Sequence, residues 1–248
     1  MTTIEYLRAM MMAALTCLLL GGCAANAPGG AQPSDADPWE PMNRRIDTFN
    51  TSIDKVTLKP VAQGYKKVLP EFVRQRVTNF SKNLRGPLNI INNFLQGKGG
   101  DGFSETGRFL ANSTFGIGGL FDVATKIGLE SHDEDFGQTF AVWGVPSGPY
   151  VIVPFLGPQT LRDALALPFD FLADPLFHYE NKPVRYTLYT VRLVDLRARF
   201  LSVEGFIEDS FDRYVAIRES YLQHRQFEIY DGDPPVDEDF YDDFPEPE

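Results

Sequence analysis

Cysteine is almost missing from this 248-residue chain, which holds only Cys17 and Cys23. A framework of disulfides and a cysteine-built metal site are both excluded. Histidine is nearly as scarce, and His132, His178 and His224 stand far apart. No H-E-x-x-H zinc pattern and no G-x-S-x-G nucleophile elbow occurs. Catalysis therefore has little support, although folding can gather scattered residues. No basic patch dominates, so nothing favours a nucleic-acid partner. Long apolar runs are lacking too. The longest, Ala9 to Leu20, has twelve residues. As a helix it covers about 18 Å, against about 30 Å of bilayer hydrocarbon.

What that short run does fit is a secretory signal, with Arg8 ahead of it and Glu5 weakening the basic end. It closes on Leu20-Gly21-Gly22-Cys23, which resembles a bacterial lipobox. Cys23 is then the acylated first residue of the mature chain, and residues 1–22 are the signal. The plainer alternative is ordinary cleavage near Ala24-Ala25. Three acyl chains exceed the two signals needed for stable anchoring. Ala24 rather than Asp at the second position resembles the sorting pattern for the outer membrane.

Residues 23–36 are small, polar and rich in Pro and Gly, as expected of a flexible tether. The domain is expected over 37–230. Its first helix should start at an Asp37-x-x-Glu40 capping box, with Pro38 at the first helical position. Trp39, Met42, Ile46, Phe49, Ile53 and Val56 follow at spacings of three and four, one stripe along a helix. That stripe reads as core or as a membrane-facing surface. A second helix is expected from Pro70, an interruption at Gly86-Pro87, and a third helix beyond it. "GKGGDG" at 97–102 matches G-x-G-x-x-G, but a helical pattern precedes it, so it reads as a turn and not a dinucleotide site. Helical periodicity resumes at Phe103. "GPYVIVPFLGP" at 148–158 reads as extended, and Pro154 argues against a central strand. Two long helices, 184–200 and 206–227, should break near Gly205.

The net charge of −11 is local. The last eighteen residues, 231–248, carry nine acids and no base, leaving 25 acids against 23 bases elsewhere. This acidic tail reads as solvated and disordered, with Phe240, Tyr241 and Phe244 available to a partner. Arg185, Arg192 and Arg199 recur every seven residues, and intramolecular pairing is favoured over lipid-phosphate contact. Glu130, His132, Asp133, Glu134 and Asp135 fit no metal-ligand spacing and read as a charged loop. The stretch 108–130 places Gly116, Gly118 and Gly119 between apolar segments, as a helical hairpin or a bent helix. Asp122 and Lys126 could pair at i, i+4. A buried hairpin is the plainer reading, and a membrane-dipping one the sharper.

Four separated blocks carry a family resemblance: "DPWEPMNRRIDTFN", "NFLQGKGGDGFSETGRFLANSTFGIGGLFDVA", "EDFGQTFAVWGVPSGPYVIVPFLGPQTLRD" and "IRESYLQHR". Together they resemble the MlaA (VacJ) family of outer-membrane lipoproteins, over roughly 37–230. The resemblance implies an all-α, ring-like domain with a glycine-hinged hairpin and a central amphipathic channel, seated in the inner leaflet of the outer membrane. It implies removal of phospholipid from the outer leaflet, association with a trimeric porin, and delivery to a soluble periplasmic lipid carrier. It implies no cofactor and no covalent chemistry. Gly116, Gly118, Gly119 and Asp122 match the family's hairpin near the channel. Phe49 and Asn50 match a Phe-Asn whose helix bears on channel gating. Asp135 to Thr139 and Gly148 to Tyr150 match blocks with no assigned task. A lipoprotein hydrolase and a porin-scaffolding lipoprotein remain the alternatives.

Overall fold

A computed structural model of the chain describes residues 36–235. Cys23, the signal, the tether up to residue 35 and the tail beyond residue 235 lie outside the described residues. Nine helices are described: α1 (Glu40–Val56), α2 (Leu58–Val68), α3 (Glu71–Leu95), α4 (Gly99–Thr114), α5 (Phe136–Val142), α6 (Leu161–Ala173), α7 (Lys182–Phe200), α8 (Glu204–Glu208) and α9 (Arg213–Ile229). Two strands, β1 (Tyr150–Val153) and β2 (Gly157–Thr160), form an antiparallel hairpin with Tyr150 opposite Thr160. Short 3-10 turns cover Thr125–Ile127 and Pro175–His178.

Helix α1 carries the apolar stripe, but its expected cap is not formed. The helix begins at Glu40 with no side-chain cap. Asp37 is fully buried instead, accepting hydrogen bonds from Asn43 at 2.8 Å and from Tyr214 and Arg218. Glu40 pairs with Arg44 and Arg218. A buried acid meeting three donors is better satisfied there than at a helix end. Phe49 and Val56 of the stripe are exposed, so it is not wholly a core stripe.

The interruption at Gly86-Pro87 is absent: α3 is one helix of 25 residues with Pro87 inside it. Proline removes one backbone donor and crowds the preceding turn. Packing against α4 offsets that cost. A Cβ on Gly86 would sit 2.8 Å from the Phe109 ring, so the glycine lets the two helices close up. The turn at 97–102 is also shorter than expected, because α4 starts at Gly99. The helices expected at 184–200 and 206–227 are separated by α8, which contains Gly205. The extended segment is the β hairpin, and Pro154 lies in its turn, where no ladder bond is needed.

The elements close into a circuit. Helix α1 packs on α2, α2 on α7, α7 on α3, α3 on α6, α6 on β1, and β1 back on α1. The helical, ring-like expectation holds, with one small hairpin added to it. Two asparagines one heptad apart make α1 the pairing edge of that hairpin. Asn43 donates to the Tyr150 carbonyl at 3.0 Å and accepts from the Ile152 amide at 2.9 Å. Asn50 donates to the Val153 carbonyl at 3.1 Å and accepts from the Phe155 amide at 2.9 Å. Side-chain amides thus replace a missing strand and satisfy β1.

The interior is unusually polar. Among the described residues, ten buried hydrophobic residues stand against eighteen buried polar or charged ones. Large apolar side chains are instead turned outward, including Phe72, Phe103, Phe115 and Ile117. A water-surrounded domain partitions the other way. No helix among the described residues is long and apolar enough to cross a membrane.

Candidate functional site

A cavity of about 860 Å³ opens between α1, the β hairpin, α7, α8 and α9. That volume lies in the range of about 300–1,000 Å³ usual for ligand sites. One part of the wall is apolar, with Ile53, Phe155, Leu193, Leu196 and Phe200. Another is charged. Arg197 holds Asp54 through two hydrogen bonds of 2.9 and 2.8 Å and reaches Glu204 at 2.7 Å. Arg213 meets Asp47 at 2.6 Å. The Arg197 guanidinium gains from its hydrogen bond to Asp54 first and is held above its ordinary pKa. These pairs tie α1, α7, α8 and α9 together around the opening.

The two expected site groups separate here. Asn50 lines the cavity while clamping the hairpin turn, and Phe49 stacks edge-on against Phe155 with ring centres 5.5 Å apart. Phe49 and Asn50 therefore both contact the hairpin turn at the opening.

Gly116, Gly118, Gly119 and Asp122 do not line this cavity. Helix α4 ends at Thr114, and the chain turns through Ile117, Gly118 and Gly119, all with positive φ (54°, 68° and 90°). The segment beyond is a compact loop with one 3-10 turn, not the second arm of a helical hairpin. Asn112 organises it, accepting from the Val123 and Ala124 amides at 2.8 and 2.9 Å. Asp122 pairs with Arg108 at 3.3 Å rather than with Lys126. Burial pushes the Asp122 carboxyl up, but bonds from Thr125 and Asn112 and the charge of Arg108 hold it below its ordinary pKa. A polar recess of about 30 Å³ lies beside it, lined by Asn83, Asn89, Glu105, Arg108 and Asn112 among others. The Asn89 Oδ1 has no protein partner there, and the space suits about one water.

The glycines differ in what they tolerate. A Cβ on Gly116 would lie 2.2 Å from the Phe121 carbonyl oxygen, and one on Gly119 would lie 2.4 Å from the Asn83 Cβ. Gly118 faces open space, and only its left-handed backbone resists a side chain. Gly118→Ala is expected to cost about 1 kcal/mol, against roughly 3 kcal/mol or more at Gly116 and Gly119. Denaturant midpoints of the three alanine variants check the order. Equal losses at all three would refute it. Gly118 is thus the position of the three at which a substitution leaves the fold intact.

The acidic stretch is spent on structure. Asp135 caps α5 through the Gln138 amide and pairs with Arg225, Glu134 holds Lys98, and Asp133 accepts from Asn89. The heptad arginines are paired inside the chain: Arg192 with Asp174, Arg199 with Asp195, and Arg185 with the Phe177 carbonyl. Sequence reasoning missed the cavity charges of α1, α7 and α8. Asp54 and Arg197 are 143 positions apart, and nothing local couples them.

A polar interior, an outward apolar surface and an amphipathic cavity define a helical domain built for a lipid environment. A family model described as MlaA lipoprotein matches residues 35–228, and the chain belongs to that family. It is similar to the intermembrane phospholipid transport system lipoprotein MlaA of Escherichia coli (strain K12), 34% identical over 218 residues that cover 86% of each chain. The Haemophilus influenzae protein of the same name is 29% identical over 229 residues, 91% of this chain and 92% of that one. An uncharacterized protein of Rickettsia bellii is 36% identical over 195 residues, 78% of this chain and 76% of its own. A solved structure described as "Structural basis for maintenance of bacterial outer membrane lipid asymmetry" aligns with a TM-score of 0.69 and 34% identity, covering 78% of this chain and 98% of that chain.

Proposed function

We propose that this chain is an outer-membrane lipoprotein that removes phospholipid from the outer leaflet through its cavity and so maintains lipid asymmetry. Cys23 anchors it, a trimeric porin holds it, and a soluble periplasmic carrier receives the lipid. The observation that carries this reading is the amphipathic cavity of about 860 Å³, in a domain that also exposes large apolar side chains outside it, such as Phe72, Phe103, Phe115 and Ile117. Moving a phospholipid headgroup through hydrocarbon strips a charged phosphate of water, at a cost of many kcal/mol unless polar groups replace it. The charged wall offers that replacement, and Leu193, Leu196 and Phe200 accompany the acyl chains. No covalent step is needed. Net direction comes from unequal affinity for lipid along the route. A hydrolase is not favoured: His132 meets Asp101, His178 a backbone carbonyl and His224 Glu228, each at a separate place.

The experiment compares cells with and without the gene. Surface labelling of outer-leaflet aminophospholipid should rise severalfold on deletion and fall back on complementation. Unchanged labelling would refute transport and favour scaffolding. Released fatty acid from labelled vesicles with purified protein would favour the hydrolase.

A further inference from the structure

The charges around the cavity follow an order that lipid passage alone does not require. Four carboxylates line it (Asp47, Asp54, Glu204 and Glu208), with three cations, Lys55, Arg197 and Arg213. Arg213 is committed to Asp47, and Arg197 to both Asp54 and Glu204. Lys59 joins from α2, 3.3 Å from Glu204 and 3.7 Å from Glu208. The outcome is an alternating row: Asp54, Arg197, Glu204, Lys59, Glu208. Three acids enclose two cations. The acid at the end of the row is the least satisfied. The cation nearest Glu208 stands beyond hydrogen-bond reach, and the Glu208 side chain is 49% exposed. Lys55 is the lining cation without an ion-pair partner among the described residues.

We propose that this cavity selects phospholipids whose headgroup carries an ammonium beside the phosphodiester, in preference to anionic phospholipids. The inference rests on the lipid-passage reading and adds a substrate class to it. Glu208 receives the ammonium, and Lys55 receives the phosphodiester. A phosphodiester without a companion cation meets guanidiniums already neutralised by carboxylates. Lys55 still meets it, but Glu208 is then left without an ammonium, and a closer hold on Arg197 would strand Asp54 or Glu204. A zwitterion brings both charges and meets Lys55 and Glu208 without breaking the row. Discrimination thus comes from what the anionic lipid leaves unpaired.

The test uses the mature lipoprotein equilibrated with vesicles of equal phosphatidylethanolamine and phosphatidylglycerol. Lipid retained after detergent extraction and gel filtration is quantified by mass spectrometry. Retained phosphatidylethanolamine should exceed phosphatidylglycerol roughly threefold, the scale of one weakly screened charge contact. Glu208→Lys should bring the ratio to one or below, and Glu208→Gln should fall between. Lipid bound to the outer apolar surface is common to all three proteins, so the change between variants reports the cavity. An even or phosphatidylglycerol-rich ratio in the wild type overturns the proposal, as does a ratio unmoved by Glu208→Lys. Absence of retained lipid in every protein is a different failure, since it removes the passage reading itself.

Discussion

Arg225→Ala is expected to destabilise the domain by about 3–5 kcal/mol, the usual cost of stranding buried charge. Arg225 is 7% exposed. It forks onto Asp135 at 2.6 and 2.8 Å and onto Asp163 at two distances of 3.1 Å. Three elements meet there, α9, the first turn of α5 and α6. Gly137 shows how tight the junction is, because a Cβ on it would lie 2.4 Å from both Arg225 and Asp163. Asp163 keeps Arg162 and Tyr221 after the substitution, whereas Asp135 keeps only its bond from the Gln138 amide. Arg225→Lys should recover a minority of the loss, since an ammonium cannot satisfy two carboxylates in a fork.

The pH dependence has a definite sign. Burial pushes both carboxyls up, but the bonds and charge of Arg225 outweigh it and hold Asp135 and Asp163 below their ordinary pKa. Their contribution is therefore full above the ordinary carboxylate range and is lost as pH falls below it. In Arg225→Ala the stranded Asp135 is relieved by protonation. The gap between wild type and variant should narrow from pH 7.5 to pH 4. Chemical unfolding at the two pH values measures it. A gap that widens toward acid would refute the role given to Arg225.

Legibility in the sequence followed chemistry. Helices α1 and α4 were readable because side chains facing lipid and side chains facing protein both give apolar periodicity. For the same reason, periodicity could not say which face was the interior. The polar interior is not legible in the sequence, because a polar residue type carries no signal of burial. Asn92 and Asn93 look like surface residues by type, yet Asn92 accepts from Thr139 at 2.6 Å and Asn93 donates to the carbonyls of Asn89 and His132. Asp37 resembled a helix cap because its true partners, Tyr214 and Arg218, lie 177 and 181 positions away. Pro87 reads locally as a break, yet its effect depends on whether a neighbouring helix holds the turn. Asn50 was found only through the family motif. Its task is visible in the paired hydrogen bonds to the hairpin turn, which no local pattern encodes.

Filling the cavity should stop transport while sparing the fold. Leu193 and Leu196 lie near one another on α7, both line the opening, and both are at least 40% exposed. Replacing both with Trp adds bulk to open space, so overpacking of a core, which costs about 1–3 kcal/mol, is avoided. The indoles narrow the part of the wall assigned to acyl chains and leave the ion pairs of Arg197 in place. Outer-leaflet phospholipid in cells carrying the double variant should rise to the level of the deletion strain, with a melting temperature within about 3 °C of wild type, a shift corresponding to roughly 1 kcal/mol or less. Asn50→Ala acts in the other sense. It removes two hydrogen bonds worth about 1 kcal/mol each and frees the turn at Phe155 to swing away from the opening. Combined with the two tryptophans it should behave as a blocked protein, because a displaced hairpin cannot reopen a filled wall. Normal lipid asymmetry in the folded double-Trp variant would show that lipid takes another route, and the cavity would lose its assigned role.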